Sequence, residues 1–178
     1  MAITISGSGI TSANIAVGTI VNADINSSAA IAGSKLTGAG KVLQVVNATY
    51  STQVINSTTT YADTGLTATI TPTLATSTIL VIVNQNGCMK NAYSANNGLA
   101  VQLLRGATSI SVLSLNAAFT NTVSINYLSS TSTNYLDSPA TTAATTYKVQ
   151  FKNASATADV RVQENGATST ITLMEIGV

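Results

Sequence analysis

The residues able to do chemistry in this chain are few, and they limit the reactions that it can catalyse. Its 178 residues include six carboxylates, seven lysines and arginines, one cysteine and no histidine. A nucleophilic serine needs a neighbouring base, and the many serines here have no histidine to serve as one. Glycoside cleavage needs two carboxylates, and the pairs to consider are Asp159 with Glu164 and Asp63 with Asp137. Platforms for sugar rings are scarce, with two Phe and no Trp, so we predict no catalytic residues and no enzyme.

Metal and cofactor sites are not indicated by the sequence either. Cys88 is the only cysteine, and we expect a small buried apolar residue at this position instead of a reactive thiol or a metal ligand. A calcium site needs several clustered carboxylates or carbonyls. Asp63 in YADTGLT and Asp137 in YLDSPAT stand alone in their segments, and we predict turn aspartates at both. The sequence therefore predicts no bound metal and no cofactor.

The scarcity of charge also limits the partners of the chain. Charged residues are 7% of the total, against roughly 25% in an average soluble domain. Seven scattered cations do not form the basic field that nucleic-acid phosphates require, and no run of about 18 apolar residues could cross a bilayer. We predict neither nucleic-acid binding nor membrane insertion. A surface with so few charges has weak protection against self-association, so we expect an oligomer.

An apolar residue recurs at every fifth position through the first 36 residues, with one inserted residue before the last two. The positions are Ile5, Ile10, Ile15, Ile20, Ile25, Ile31 and Leu36. This spacing matches neither the 3.6-residue helix nor the two-residue strand. A single copy cannot bury such side chains, but three parallel copies could, at about 1.5–3 kcal/mol for each fully buried one. We predict that residues 1–40 form an extended shaft and attachment segment; the alternative is a tail that becomes ordered only on a partner.

Residues 41–178 carry the patterns of β-strands instead. In YKVQFK, from Tyr147 to Lys152, every second side chain is apolar and is predicted to face the core. The run TILVIVN at 78–84 is apolar on both faces, which favours a central strand. Asn165-Gly166 is typical of a hairpin turn between the last two strands. Eight to ten strands of this kind predict an all-β fold, with residues 41–178 forming a β-sandwich similar to a jelly roll.

Two polar stretches between the predicted strands are candidates for ligand recognition. They run from Asn84 to Asn97 and from Ala117 to Asn134, and we read both as long loops. Loops on a rigid β scaffold often bind ligands, and amide and tyrosine side chains can hydrogen-bond and stack with sugars or protein edges. The candidate residues are Asn91, Tyr93, Asn96, Asn121, Asn126 and Tyr127. The alternatives are solvated connections and contacts between neighbouring subunits.

Several longer phrases resemble one family of proteins. They are SANIAVGTIVNADINSSAAIAGSKL at 12–36, GKVLQVVNATYST at 40–52, TTYADTGLTATITP at 59–72 and STITLMEI at 169–176. The chain resembles the small fibre and tail-fibre-like virion proteins of marine and cyanobacterial bacteriophages over nearly its whole length. The most discriminating pieces are the repeated ADI and SKL phrases and the TITLMEI ending.

The resemblance implies a non-enzymatic homotrimer of the virion, assembled in the bacterial host cytoplasm. Its N-terminal segment would attach to other virion proteins of the tail or capsid. Its β-head would look like the trimeric jelly rolls of tumour-necrosis-factor-like proteins and would bind a glycan or protein of the host surface. The alternative is a capsid decoration protein, a head fibre that clamps neighbouring capsid subunits. A surface-polysaccharide hydrolase is a third hypothesis, from a different class.

Overall fold

The structure, a computed structural model, describes residues 41–91, 95–123, 126–155 and 158–177. Its strands are β1 (Lys41–Tyr50), β2 (Val54–Asn56), β3 (Ala62–Ile70), β4 (Thr78–Lys90), β5 (Asn97–Arg105), β6 (Thr108–Thr120), β7 (Tyr127–Asp137), β8 (Thr145–Asn153), β9 (Val160–Val162) and β10 (Ser169–Gly177). These described residues contain no α-helix. The predicted all-β class is confirmed.

The strands form two antiparallel sheets, the arrangement of a β-sandwich. Sheet A has the order β1-β10-β4-β9-β2, and β7 pairs with the other edge of β4. Sheet B has the order β3-β8-β5-β6. The predicted central position of the 78–84 run is confirmed, because β4 has neighbours on both of its edges.

Sheet A contains two interrupted strands. β10 pairs with the first half of β4 and β9 with its last two residues, Met89 and Lys90. β1 and β2 likewise lie end to end, and they pair with β10 and β9 respectively. The predicted hairpin at Asn165-Gly166 is therefore wrong, because β9 and β10 both pair with β4 and lie end to end. A 3-10 turn, Glu164–Gly166, joins them.

The core lies between the inner faces of the two sheets. Val81 of β4 is fully buried, as are Tyr147, Val149 and Phe151 of β8. The inward alternation predicted for β8 is thus confirmed. Cys88 is also fully buried, as predicted, and burial raises the pKa of its thiol to about 12. A thiol of this kind is a poor nucleophile at neutral pH because the thiolate is the reactive form.

The two long predicted loops are mostly strand. β4 continues to Lys90, and β7 pairs with β4 along almost all of its length. The connections shrink to residues 91–96 and 121–126. Lys90 is buried at the end of β4, where its Nζ donates to Thr120 Oγ1 at 2.6 Å and to the Thr122 carbonyl at 2.7 Å. These bonds fasten the second connection against the end of β4.

The two solitary aspartates are not turn residues. Asp137 is buried and accepts hydrogen bonds from Arg105 Nη1, at 2.9 Å to each oxygen, and from the Tyr147 hydroxyl at 2.6 Å. Burial and the contact with Asp137 raise the pKa of Tyr147. Asp63 lies within β3, where Lys148 Nζ is 3.0 Å from Oδ1. The short-range turn signal failed at both positions because strand partners distant in sequence hold these carboxylates.

Candidate functional site

The predicted recognition residues that the structure describes lie at one end of the sandwich. Lys90 pairs with Tyr127 and Asn97 with Thr120, so the strand ends that flank residues 91–96 and 121–126 lie close together there. We call this the loop end. Its predicted residues are Asn91, Asn96, Asn121, Asn126 and Tyr127; Tyr93 lies outside the described residues. The predicted shaft positions, Ile5, Ile10, Ile15, Ile20, Ile25, Ile31 and Leu36, also lie outside them.

The side chains at the loop end differ in their contacts and in their exposure to solvent. Asn91 Nδ2 donates to Asp159 Oδ1 at 2.6 Å, and its backbone N–H donates to the Asp159 carbonyl at 3.2 Å, so Asn91 fastens the connection. Asn96 is exposed with a φ of 51°, in the left-handed region that asparagine tolerates. Asn121 and Asn126 are exposed, and Tyr127 is 48% exposed. These amides and this ring are accessible to a ligand, and their role in recognition stays a prediction.

The carboxylate pairs considered for glycoside cleavage are held by other side chains. Arg161 Nε lies 2.6 Å from Asp159 Oδ2, and its Nη1 lies 3.8 Å from Glu164 Oε1, so one guanidinium contacts both carboxylates. Burial would raise the pKa of Asp159, but hydrogen bonds from Arg161 and Asn91 outweigh it and hold that pKa below its usual value. Asp63 and Asp137 belong to different sheets. The described residues include no group of three or more Asp, Glu, Cys or His able to hold a metal ion.

The outer face of sheet A carries an apolar row across four strands. In register, Val45 of β1 lies beside Met174 of β10, Met174 beside Leu80 of β4, and Leu80 beside Leu136 of β7. All four side chains point away from the core, because their neighbours along each strand are buried or half-buried and pack toward it. Leu136 is 57% exposed and Val45 is 55% exposed. A line of apolar side chains therefore faces outward.

The rows on either side of this line extend the same surface. The next row toward the start of β4 joins Val42, Ile176 and Thr78, and the next row toward its end joins Asn47, Thr172, Ile82 and Asn134. Every side chain in the three rows is uncharged. We call this surface the apolar face. No local sequence pattern reveals this face, because four segments far apart in the chain contribute to it.

The outer face of sheet B carries charged side chains on β8 and β3. β8 presents Lys148, Gln150 and Lys152 outward, as predicted, and β3 presents Asp63 and Thr67 beside them. We call this the polar face. The sandwich thus has one uncharged, partly apolar outer face and one that carries charges of both signs.

The two ends of the sandwich also differ. Lys41 pairs with Gly177, and Ile176 pairs with Thr78 at the start of β4. Lys41, the first described residue, therefore lies at the end of β4 opposite Lys90 and the loop end. The 13 residues of β4 separate these ends by about 40 Å at roughly 3.3 Å per residue.

The described part of the chain has no helix with the length and apolar character needed to cross a membrane. Any function assigned to the chain must rest on its own residues and surfaces. Neither a protein-family model nor a curated protein matches this sequence.

Proposed function

We propose that this chain is a structural protein of a bacteriophage particle, a homotrimeric fibre. Residues 1–40 attach it to other virion proteins, and residues 41–178 form a β-head displayed outward for binding to the host surface. The sequence resemblance to phage fibre proteins motivates the assignment. The observation that carries it is the apolar face, an uncharged outer sheet surface with half-exposed aliphatic side chains.

The apolar face has the composition of a subunit interface and about half the area of a standard one. Three rows of outward side chains about 6.6 Å apart, on four strands about 4.8 Å apart, cover roughly 400 Å², against the roughly 800 Å² that each partner contributes to an interface of standard size. Burying the remaining half of Val42, Val45 and Leu136 is worth about 1 kcal/mol for each side chain. In a trimer this face of each copy would turn toward the threefold axis, where it meets the equally uncharged faces of two neighbouring copies.

The strand order supports the jelly-roll description of the head. If each interrupted strand is counted once, sheet A has the order first, eighth, third, sixth, and sheet B the order second, seventh, fourth, fifth. Eight strands in this order form two interleaved Greek keys, the jelly roll found in viral capsid and lectin domains. Trimeric heads similar to tumour-necrosis-factor-like proteins are built on this topology.

The positions of the two ends suit a fibre head. The attachment segment joins the sandwich beside Gly177 and Thr78, and the loop end lies at the far end of β4. A head held at the first end presents the loop end and the polar face to the medium. Three tethered copies would bind a surface with an avidity well above that of one site.

The oligomeric state tests the subunit arrangement. Multi-angle light scattering of the full chain at micromolar concentration should give three times the 18.0 kDa chain mass. In a chain that lacks residues 1–36, and so lacks the predicted shaft isoleucines, Leu136→Lys should reduce the mass to that of one chain, because three ammonium groups would lie in the interface. Val112→Lys is the matched control: Val112 is 53% exposed but lies on β6 of sheet B, and this variant should stay trimeric. A wild-type monomer, or two variants with the same mass, would refute the arrangement.

The location of the protein in the particle tests the virion role. Cryo-electron microscopy of phage particles should place its density on the tail for a host-binding fibre, and density on the capsid lattice would favour the decoration protein. Deletion of residues 1–36 should release the protein from particles while the 41–178 domain stays folded. Particles that never contain the protein would refute the virion role, and cleavage of host polysaccharide by the purified chain would refute the non-enzymatic reading.

A further inference from the structure

A wide bulge interrupts β3 on the polar face. Asp63 pairs with Gln150 and Thr67 with Lys148, so residues 64–66 of β3 lie opposite the single residue Val149 of β8. Bulges of this type re-aim side chains and are frequent beside binding and active sites. Here the bulge opens a depression of about 120 Å³, lined by Asp63, Gly65, Leu66, Thr67 and Lys148.

Local contacts hold the bulge in one shape. The Thr64 hydroxyl donates to the Val149 carbonyl at 3.0 Å, and the Leu66 N–H donates to Thr64 Oγ1 at 3.2 Å. Gly65 has a φ of 85°, and a Cβ at this position would lie 2.3 Å from the Tyr50 ring. The depression is therefore built into the fold, and a ligand would not pay to form it.

A directional ladder of hydrogen bonds runs from the depression across sheet B. The Ser109 hydroxyl donates to Gln102 Oε1 at 2.9 Å, Gln102 Nε2 to Gln150 Oε1 at 3.2 Å, and Gln150 Nε2 to Asp63 Oδ1 at 2.7 Å. Lys148 Nζ donates to Asp63 Oδ2 at 3.1 Å. Every bond of the ladder points toward the carboxylate, and such chains polarise and orient one another. Each amide group has a second N–H available for a ligand.

We propose that the depression beside the β3 bulge, with the Asp63–Gln150–Gln102 ladder, is a binding site for a neutral saccharide. This proposal rests on the proposed function for the source of the saccharide, a glycan of the host surface that a displayed trimer would meet. Binding itself requires only groups on the polar face of one chain and does not depend on the trimer.

The groups at the site match what a sugar offers. Sugar hydroxyls both donate and accept: Asp63 is 56% exposed at its side chain and accepts, while Lys148 and the glutamine amides donate. Tyr61, two residues before Asp63, adds an aromatic ring whose centroid is 4.8 Å from Lys152 Nζ.

The charges at the site favour a neutral ligand over an acidic one. Lys148 lies within 3.1 Å of both oxygens of Asp63, so the two charges compensate each other. Burial would raise the pKa of Asp63, but hydrogen bonds from Gln150 and Lys148 and the Lys148 charge outweigh it and lower that pKa. Asp63 therefore stays ionised at neutral pH, where it accepts hydrogen bonds from sugar hydroxyls, and the paired Lys148 is not left free to bind a carboxylate of the ligand.

Saturation-transfer NMR on the full chain tests this site, with maltotriose, cellotriose and chitotriose as neutral probes and trigalacturonic acid as the acidic comparison. A shallow site with few contacts gives a Kd of about 1 mM for its best neutral probe. Asp63→Asn and Gln150→Ala should each weaken that binding by about fivefold to tenfold, because the first replaces a charged acceptor with a neutral amide and the second removes an amide donor. Thermal unfolding of both variants checks that they are folded.

Gln53→Ala provides the matched control. Gln53 is an exposed glutamine that donates to the carboxylate of Glu164, away from the β3 bulge, so its loss should leave saccharide binding unchanged. No transfer to any neutral probe, equal binding by wild type and both site variants, or tighter binding of trigalacturonic acid would overturn the proposal. Light scattering of the same samples separates the two proposals: a trimer that binds no saccharide refutes the site alone, and a monomer that binds refutes the trimer alone.

Discussion

Glu175→Gln should weaken the folded domain at neutral pH and flatten the acid side of its stability profile. Glu175 is fully buried at the inner face of β10. It accepts hydrogen bonds from Gln44 Nε2 at 2.6 Å and from the Thr73 N–H and hydroxyl, both at 2.7 Å. A glutamine would place an NH₂ group against some of these donors, leaving them without an acceptor.

The magnitude follows from the pKa of this carboxyl. Burial alone would raise the pKa, but the hydrogen bonds from Gln44 and Thr73 outweigh it and lower the pKa to about 2 from 4.5. The full difference corresponds to about 3 kcal/mol, which solvent screening near the sandwich end reduces to about 1–2 kcal/mol. Because the folded pKa is the lower one, this stabilisation is present above the unfolded pKa and disappears as the pH falls from about 5 toward 2.

Urea unfolding followed by circular dichroism, from about pH 7 to about pH 2.5 and at one protein concentration, measures this contribution. The wild-type free energy of unfolding should fall toward that of Glu175→Gln as the pH decreases, so that the two profiles converge in acid. Gln44→Ala removes one donor and should give an intermediate profile. Parallel profiles for wild type and Glu175→Gln would show that the ionised carboxylate does not contribute in this way.

Three further predictions concern buried groups. Tyr147→Phe removes the 2.6 Å hydrogen bond to buried Asp137 and should lower the free energy of unfolding by about 1–2 kcal/mol in urea titrations; an unchanged midpoint would contradict this. Gly65→Ala places a Cβ 2.3 Å from the Tyr50 ring at a φ of 85°, so calorimetry should show a lower Tm, with a loss of about 2 kcal/mol. Cys88 is fully buried with a pKa of about 12, so Ellman's reagent should react with it only after urea unfolds the chain. Rapid labelling of the native protein would refute its burial.

The sequence predicts strands well where apolar side chains alternate. β8 has Tyr147, Val149 and Phe151 at alternate positions, and all three are fully buried. β7 lacks this apolar alternation, because its sequence, YLSSTSTNYLD, is polar at most positions. The signal for a strand in β7 is weaker: Thr131 and Thr133 occupy alternate positions, and threonine favours strands. Hydrophobic periodicity alone cannot detect a strand that presents hydroxyls to its neighbours.

The candidate surfaces were harder to predict than the strands. The apolar face depends on register between Val45, Leu80, Leu136 and Met174, which no local window of sequence brings together. Asp63 was assigned to a turn because ADTG has turn composition, whereas the glycine there serves a bulge inside a strand. Both features are set by strand pairing, and single-strand patterns do not specify which strands pair.

The central position of β4 in sheet A affects how the domain unfolds locally. It is flanked along almost its whole length by β7 on one edge and by β10 and then β9 on the other. The break between β10 and β9 can therefore loosen while β4 keeps its partner β7 on the opposite edge. Its amide protons should be the last to exchange with heavy water, because they become accessible only when the whole sandwich separates.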